Sequence, residues 1–382
     1  MSLFRKFMGT HVYNPHVDAM SAYQAVRLWG IAVAFTTAAA CSSQLPGETN
    51  LAVRFTADTL AAIQLQGQAL ETGDSLGMPY ALIVGQNYVL VADVMGEPIL
   101  NIFDRHHGGW VASGGKFGEG PREFGGLRDI IRIPGRDAAW VFDFAGRSIQ
   151  FVDMDSLVLN RSLSDRRLLL DGGPGDPYSP VWTADSTIVS SGTYGSNHFA
   201  VFAADGSFLN TAGPAPPGDE EISPLIRRRV YSSVLRASPN GKRIVAAFDR
   251  SDRLEIYEGT SLRHVVRGPD FFEPAFTVRV SANGNVWPDY SEDEYRYGYE
   301  DITVTDRLIF ALYSGKTLTE SPTGEDNGSY IIVFTWDGQP VLVLQVGNGP
   351  QRIAVSEDGR DLYVAYWLPT PLIKRYSMPD LM

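Results

Sequence analysis

Cysteine is almost missing from this chain: one residue, Cys41, in 382. An internal disulfide is thereby excluded, and 6 histidines leave few ligands for a structural zinc site, so the fold must be held by packing. Basic charge is also short, with 32 Lys and Arg against 44 Asp and Glu. A net charge of -12 offers no basic face to neutralise phosphates, which argues against nucleic acid as a partner and against direct binding to anionic lipid. Catalytic signatures are absent too. The chain has no nucleophile elbow, no Ser/His/Asp arrangement and no metal-binding His pair. The glycine-rich stretch from Gly114 to Gly126 opens no helix, so it cannot form a dipole-assisted phosphate loop.

Near the N-terminus Arg27 precedes an apolar run, Leu28 to Ala40, too short to span a bilayer comfortably and ending in small residues before Cys41. This pattern resembles a bacterial lipoprotein signal, with Cys41 as the lipidated residue; Ala38 stands where that pattern usually has Leu, and Ala38-Ala39-Ala40 equally suits ordinary signal cleavage. The reading is a signal peptide over 1–40, with 1–19 an extension ahead of a start at Met20, and a linker over 41–58. Membrane attachment would then run only through a lipid on Cys41. Ser42-Ser43, with no Asp after the cysteine, favours the outer membrane facing the periplasm, with secretion as the alternative.

The rest of the chain is rich in strand and turn signals. VFTWDGQPVLVLQV, from Val333 to Val346, predicts a β-hairpin in which Asp337-Gly338 supplies the two positive-φ residues of a tight turn. Hairpins of this kind recur. Similar starts occur at Ala81, Asp129, Pro180, Val234, Ile302 and Ile353, each followed by a second hairpin, with Gly-Pro punctuating the junctions. The steps are 48, 51, 54, 68 and 51 residues, and four short strands with turns need roughly 40–50. The expected fold is therefore all-β, a six-bladed β-propeller of four-stranded antiparallel blades over 59–382, with an insertion at 269–301. The last unit stops after three strands, so Leu60–Leu65 or Leu51–Phe55 is expected to return and close the ring.

Two stretches carry a family likeness. FGEGPREFGGLRDI, Phe117 to Ile130, is similar to the Gly-x-Gly-Pro-x-Glu-Phe lead-in of the TolB-like six-bladed propellers, with Arg122 where Gly is common. GYEDITVTDRLIFALYSGK, Gly298 to Lys316, resembles a second stretch of that family. The resemblance implies an exported, often lipidated protein with a binding or scaffolding role, in which TolB itself acts through protein contacts.

Candidate sites follow from the blade reading. Residues preceding the inner strands, Tyr80, Arg128, Asp129, Tyr178, Tyr231, Asp301 and Arg352, form a mixed charged and aromatic set expected at the channel mouth. Such a ring suits a small anion, a saccharide or a peptide terminus, and plain channel lining is the alternative. The insertion gathers Asp289, Glu292, Asp293, Glu294, Glu300 and Asp301 among Tyr290, Tyr295, Tyr297 and Tyr299. Asp289, Glu292 and Asp293 are the metal candidates, for Ca²⁺, although no EF-hand spacing is present and a solvated insertion with packed tyrosines explains the same residues. The functional expectation is a non-enzymatic, envelope-anchored binding or scaffolding propeller without a cofactor, its partner an envelope protein or a small ligand. The alternative is a Ca-dependent hydrolase or lyase of the propeller lactonase type.

Overall fold

Six antiparallel sheets follow one another along the chain, at 79–114, 127–169, 180–214, 233–267, 299–345 and 350–377, and are called blades 1 to 6 in that order. The computed structural model describes residues 52–72, 76–216, 222–281, 283–325 and 327–381. The expected signal at 1–40 and Cys41 lie outside the described residues. The inner strands are Pro79–Val84, Leu127–Arg132, Pro180–Trp182, Ser233–Ala237, Tyr299–Val304 and Pro350–Val355, all beginning within three residues of the repeat starts. Together they make the expected six-bladed propeller. Second strands such as Leu308–Tyr313 and Asp361–Tyr366 are buried along their whole length, because both faces pack against neighbouring blades. That is why their sequences hardly alternate.

The hairpin Tyr330–Thr335 to Pro340–Gln345 forms as expected, but its turn does not have the two-residue form. Gly338 has φ 77° and its N–H donates to Thr335 O at 3.0 Å, while Asp337 has no positive φ. The register shifts between Val333, which pairs with Leu342, and Phe334, which pairs with Pro340. A longer turn with a glycine bulge therefore replaces the mirror-image turn, and only one residue has to adopt the left-handed conformation.

Closure comes from the N-terminal side, but through a different segment from either candidate. Gly67–Ala69 pairs antiparallel with Leu372–Ser377 and completes blade 6. Ala61–Gln64 instead adds a fifth, parallel strand to blade 5, and Ala52–Arg54 does the same for blade 4. Residues 52–69 thus form a strap along the outer edges of three consecutive blades, and its first strand falls within the segment expected as linker. The physical reason is that open edges on blades 4 and 5 present unpaired N–H and C=O groups that an extended chain satisfies in passing. Phe55 and Leu65 bury beneath it, with the Phe55 ring 5.5 Å from that of Phe334. Gly67 lies so close over Tyr376 that a Cβ would come within 2.5 Å of its ring.

Between blades 4 and 5 the insertion folds as a hairpin, Thr277–Val280 with Val286–Asp289. Its turn contains Gly284 at φ 82°, as Asn283-Gly284 predicts. The helix Pro224–Val230, capped by the Ser223 hydroxyl, supports this hairpin: the Arg229 guanidinium lies 3.6 Å from the centre of the Trp287 ring.

Candidate functional site

At the N-terminal ends of the inner strands, a repeated local irregularity sets the direction of the side chains. In blades 1, 2, 5 and 6 the pairing with the second strand skips one residue, leaving Tyr80, Arg128, Glu300 and Gln351 as bulges. A bulge turns its residue out of the alternating pattern and bends the strand. Tyr80, Arg128 and Glu300 consequently belong to one ring at the channel mouth, together with Arg352 from blade 6, Tyr178 ahead of blade 3 and Ser232 ahead of blade 4.

Cation and aromatic faces alternate around this ring. Arg128 lies 3.6 Å from the Tyr178 ring centre, and its guanidinium makes no hydrogen bond or ion pair among the described residues. Arg352 lies over Tyr80 at 4.5 Å and over Trp367 at 5.2 Å, with those two rings stacked at 6.1 Å. Its Nε donates to Tyr80 O at 2.8 Å, and the Trp367 indole donates to Pro79 O at 2.9 Å. Arg250 donates to the hydroxyls of Tyr290 at 2.7 Å and Tyr295 at 3.2 Å. The insertion tyrosines are therefore continuous with the mouth and pack edge-to-face around one cation.

Deeper in the channel Arg236 of blade 4 reaches Asp129 of blade 2 through two hydrogen bonds, at 2.8 and 3.0 Å, and Asp301 of blade 5 at 3.4 Å. Asp129 also accepts from the Ser179 hydroxyl, and Asp301 from the Ile353 amide at 2.9 Å. These buried carboxylates tie blades 2 to 6 together across the axis and form the floor of the mouth. Tied to a guanidinium in this way, they are not arranged to receive a cation.

Two mouth carboxylates are less well compensated. Burial pushes Glu300 up to about 7, against the opposing charge of Arg352 and the Asn327 amide that donates to it at 3.2 Å; Asp249 adds to the rise. Asp249 is itself raised by burial, although Arg250 is beside it and the Ser232 hydroxyl reaches both its oxygens, at 2.7 and 2.6 Å. For Tyr80 burial alone would raise the phenol, but Arg128 and Arg352 outweigh it and bring it below its ordinary value. Because the folded Glu300 holds its proton more tightly than the unfolded chain, its contribution to stability is present below the ordinary value of 4.5 and is lost as pH rises through about 7. Glu300→Gln is accordingly expected to stabilise the protein at pH 8, by about 1–3 kcal/mol, and to be neutral near pH 4. Urea unfolding of both proteins at the two pH values checks this; equal stability at pH 8 contradicts it.

Six of the seven residues expected at the mouth come together: Tyr80, Arg128, Tyr178 and Arg352 on its wall, Asp129 and Asp301 in its floor. Tyr231 does not join them. It ends the helix Pro224–Val230 and packs in the core with Phe248, where burial pushes its phenol up to about 12. Alternation explains the exchange, because Ser232, the next residue, takes the mouth position. Arg236, Asp249, Arg250, Asn327 and Trp367 were not anticipated; Arg236 alone had a sequence signal, as a charge among the apolar residues of an inner strand. Of the metal candidates, Asp289 pairs with Arg279 at 3.2 Å, Asp293 accepts from Thr319, and Glu292 is exposed. Among the described residues no three His, Cys, Asp or Glu side chains group closely enough to hold a metal ion.

Comparison with known proteins agrees with this architecture. A crystal structure of a protein described as exported, from Bacteroides fragilis NCTC 9343, matches at 13% identity and TM-score 0.54 over 86% of this chain and 99% of that one. A member of the DUF4221 family from Bacteroides vulgatus matches at 11% identity and TM-score 0.50, over 83% and 97% respectively. At such identities the likeness is one of fold. No curated protein matches the chain. The family model described as TolB-like 6-blade propeller-like matches residues 61–358, and the chain belongs to that family.

Proposed function

We propose that this protein is an exported envelope protein that binds or scaffolds a partner, without chemistry of its own, through the channel mouth and the adjoining insertion. The observation that carries this reading is Arg128, a guanidinium stacked on Tyr178 in a half-buried mouth with no carboxylate among the described residues paired to it. A cation held flat on a ring keeps its N–H edges for an incoming acceptor, and a guanidinium suits a carboxylate best. Asp249 and Glu300 nearby suit an ammonium or hydroxyl donor, so the mouth matches the terminus or a polar segment of an envelope protein. Export, with a lipid on Cys41 holding the protein at the outer membrane, is supported by the signal-like sequence ahead of Cys41 and by the exported neighbour of the same fold. The rival, a calcium-dependent hydrolase or lyase, would need channel carboxylates free for an ion; Asp129 and Asp301 are engaged by Arg236.

The test is capture from a detergent-solubilised envelope, comparing wild type with Arg128→Ala. A desolvated charge-assisted contact with its stacking is worth about 2–3 kcal/mol, so the variant should retain the partner at least tenfold less well. Equal recovery by both proteins would contradict the proposal.

A further inference from the structure

On the far side of Arg236 the channel opens again, into a cavity of about 270 Å³ at the C-terminal ends of the inner strands. Its walls mix aliphatic side chains, Val84, Val181, Val304 and Val355 among them, with the polar Thr183, Ser238, Asn240 and Thr303. One charged group on the wall is short of partners. Arg132, the last residue of the blade 2 inner strand, lines the cavity and donates only to the carbonyls of Val355 at 3.3 Å and Val304 at 3.4 Å. It has no ion pair among the described residues; Glu357 and Asp306 act on it only at longer range.

A half-buried cation served by two long bonds to neutral carbonyls is short of acceptors. The polar side chains of the lining, Thr183, Ser238, Asn240 and Thr303, hydrogen-bond elsewhere and leave the deficit in place. A ligand that brings its own acceptor relieves it, and the flat fork of a guanidinium matches a carboxylate. The volume sits just under the ~300 Å³ at which small-molecule sites begin, which admits a body of benzoate size and excludes a long acyl chain. We propose that this cavity is a second binding site, for a small amphiphilic carboxylate whose charged end meets Arg132 and whose apolar body fills the chamber. The site lies across the Asp129–Arg236–Asp301 floor from the mouth, so the two could be occupied independently.

The experiment uses 4-fluorobenzoate as probe, followed by fluorine NMR on the purified protein, with 4-fluorobenzyl alcohol as the uncharged control. Saturable binding is expected for the acid, with the alcohol at least tenfold weaker. Arg132→Met should lose at least tenfold in affinity, about the loss of one charge-assisted contact. If Arg132→Met fails to fold, Arg132→Lys serves, since it keeps the charge without the fork and should weaken the acid several-fold. Arg128→Ala, in the mouth, should leave binding unchanged. No saturation, equal affinity for acid and alcohol, or loss through Arg128→Ala and not through the Arg132 variants would each overturn the second site; the last would place the probe in the mouth.

Discussion

Glu255→Ala is expected to destabilise the protein by about 3–5 kcal/mol, because it removes the carboxylate that neutralises a fully buried arginine. Glu255 and Arg253, neighbours on one face of the third strand of blade 4, are 1% and 2% exposed. Arg253 donates from Nε at 2.7 Å and Nη2 at 2.6 Å to the same oxygen, and the Tyr257 hydroxyl donates to the other. His198 of blade 3 completes the cluster: its ring nitrogens lie 3.1 Å from the Tyr257 hydroxyl and 3.0 Å from that of Ser233. The network therefore joins blades 3 and 4 through groups that have no access to water. Replacing Arg253 and Glu255 together by Met and Leu should recover much of the loss, since a paired burial often gains little over a well-packed apolar one.

The same cluster sets an acid limit. Burial would raise the Glu255 carboxyl, but Arg253 and His198 outweigh it and hold it down to about 2. A carboxyl that is more acidic folded than unfolded contributes stability above its ordinary value of 4.5, and that contribution is lost as pH falls toward 2. Wild type should weaken steeply across that window and Glu255→Ala less so. Urea unfolding at pH 7, 4 and 3 measures both effects; a variant as stable as wild type at pH 7 would show that the pair contributes nothing.

Removal of residues 52–69 is expected to be more damaging still. The deletion takes the outer strand from blade 6, the parallel fifth strands from blades 4 and 5, and the buried side chains of Phe55 and Leu65. Two such side chains are worth about 1.5–3 kcal/mol each. The lost strand pairing adds roughly 1 kcal/mol per hydrogen bond. The sum, on the order of 5–10 kcal/mol, is comparable to the whole stability of a typical domain, and three exposed edges invite association. The shortened protein should be recovered as aggregate, judged by size-exclusion chromatography. Gly67→Val is the milder form, because its side chain would collide with Tyr376. A soluble, cooperatively unfolding monomer after the deletion would mean that the strap is an accessory.

Much of the architecture was legible because apolar strands separated by Gly-Pro and Asp-Gly turns repeat at blade length. The strap was less so. LAAIQL reads as a strand wherever it pairs, and nothing in it distinguishes a parallel fifth strand on blade 5 from the closing strand of blade 6. Gly67–Ala69, which does close the ring, has almost no strand signal and succeeds because a glycine can lie flat over Tyr376. At the mouth, counting back from the inner strands found Tyr80, Arg128 and Arg352 but misread Glu300 as part of the insertion's acidic run. The reason is the bulge: one skipped residue turns Glu300 toward the channel, and single-residue register is what strand patterns specify least. Trp367 and Asn327 enter the mouth region from loops, where no periodicity points to them.

The claim that the mouth is the binding surface is tested most directly by photo-crosslinking in the envelope. A benzophenone amino acid replaces Trp367 at the mouth in one protein. In another it replaces Leu159, 79% exposed on the helix Met154–Asn160 at the opposite end of blade 2. A discrete adduct at position 367 that disappears when Arg128→Ala is added, with none at 159, is the result this account requires. Adducts at 159 and not at 367, or a 367 adduct indifferent to Arg128, would contradict it.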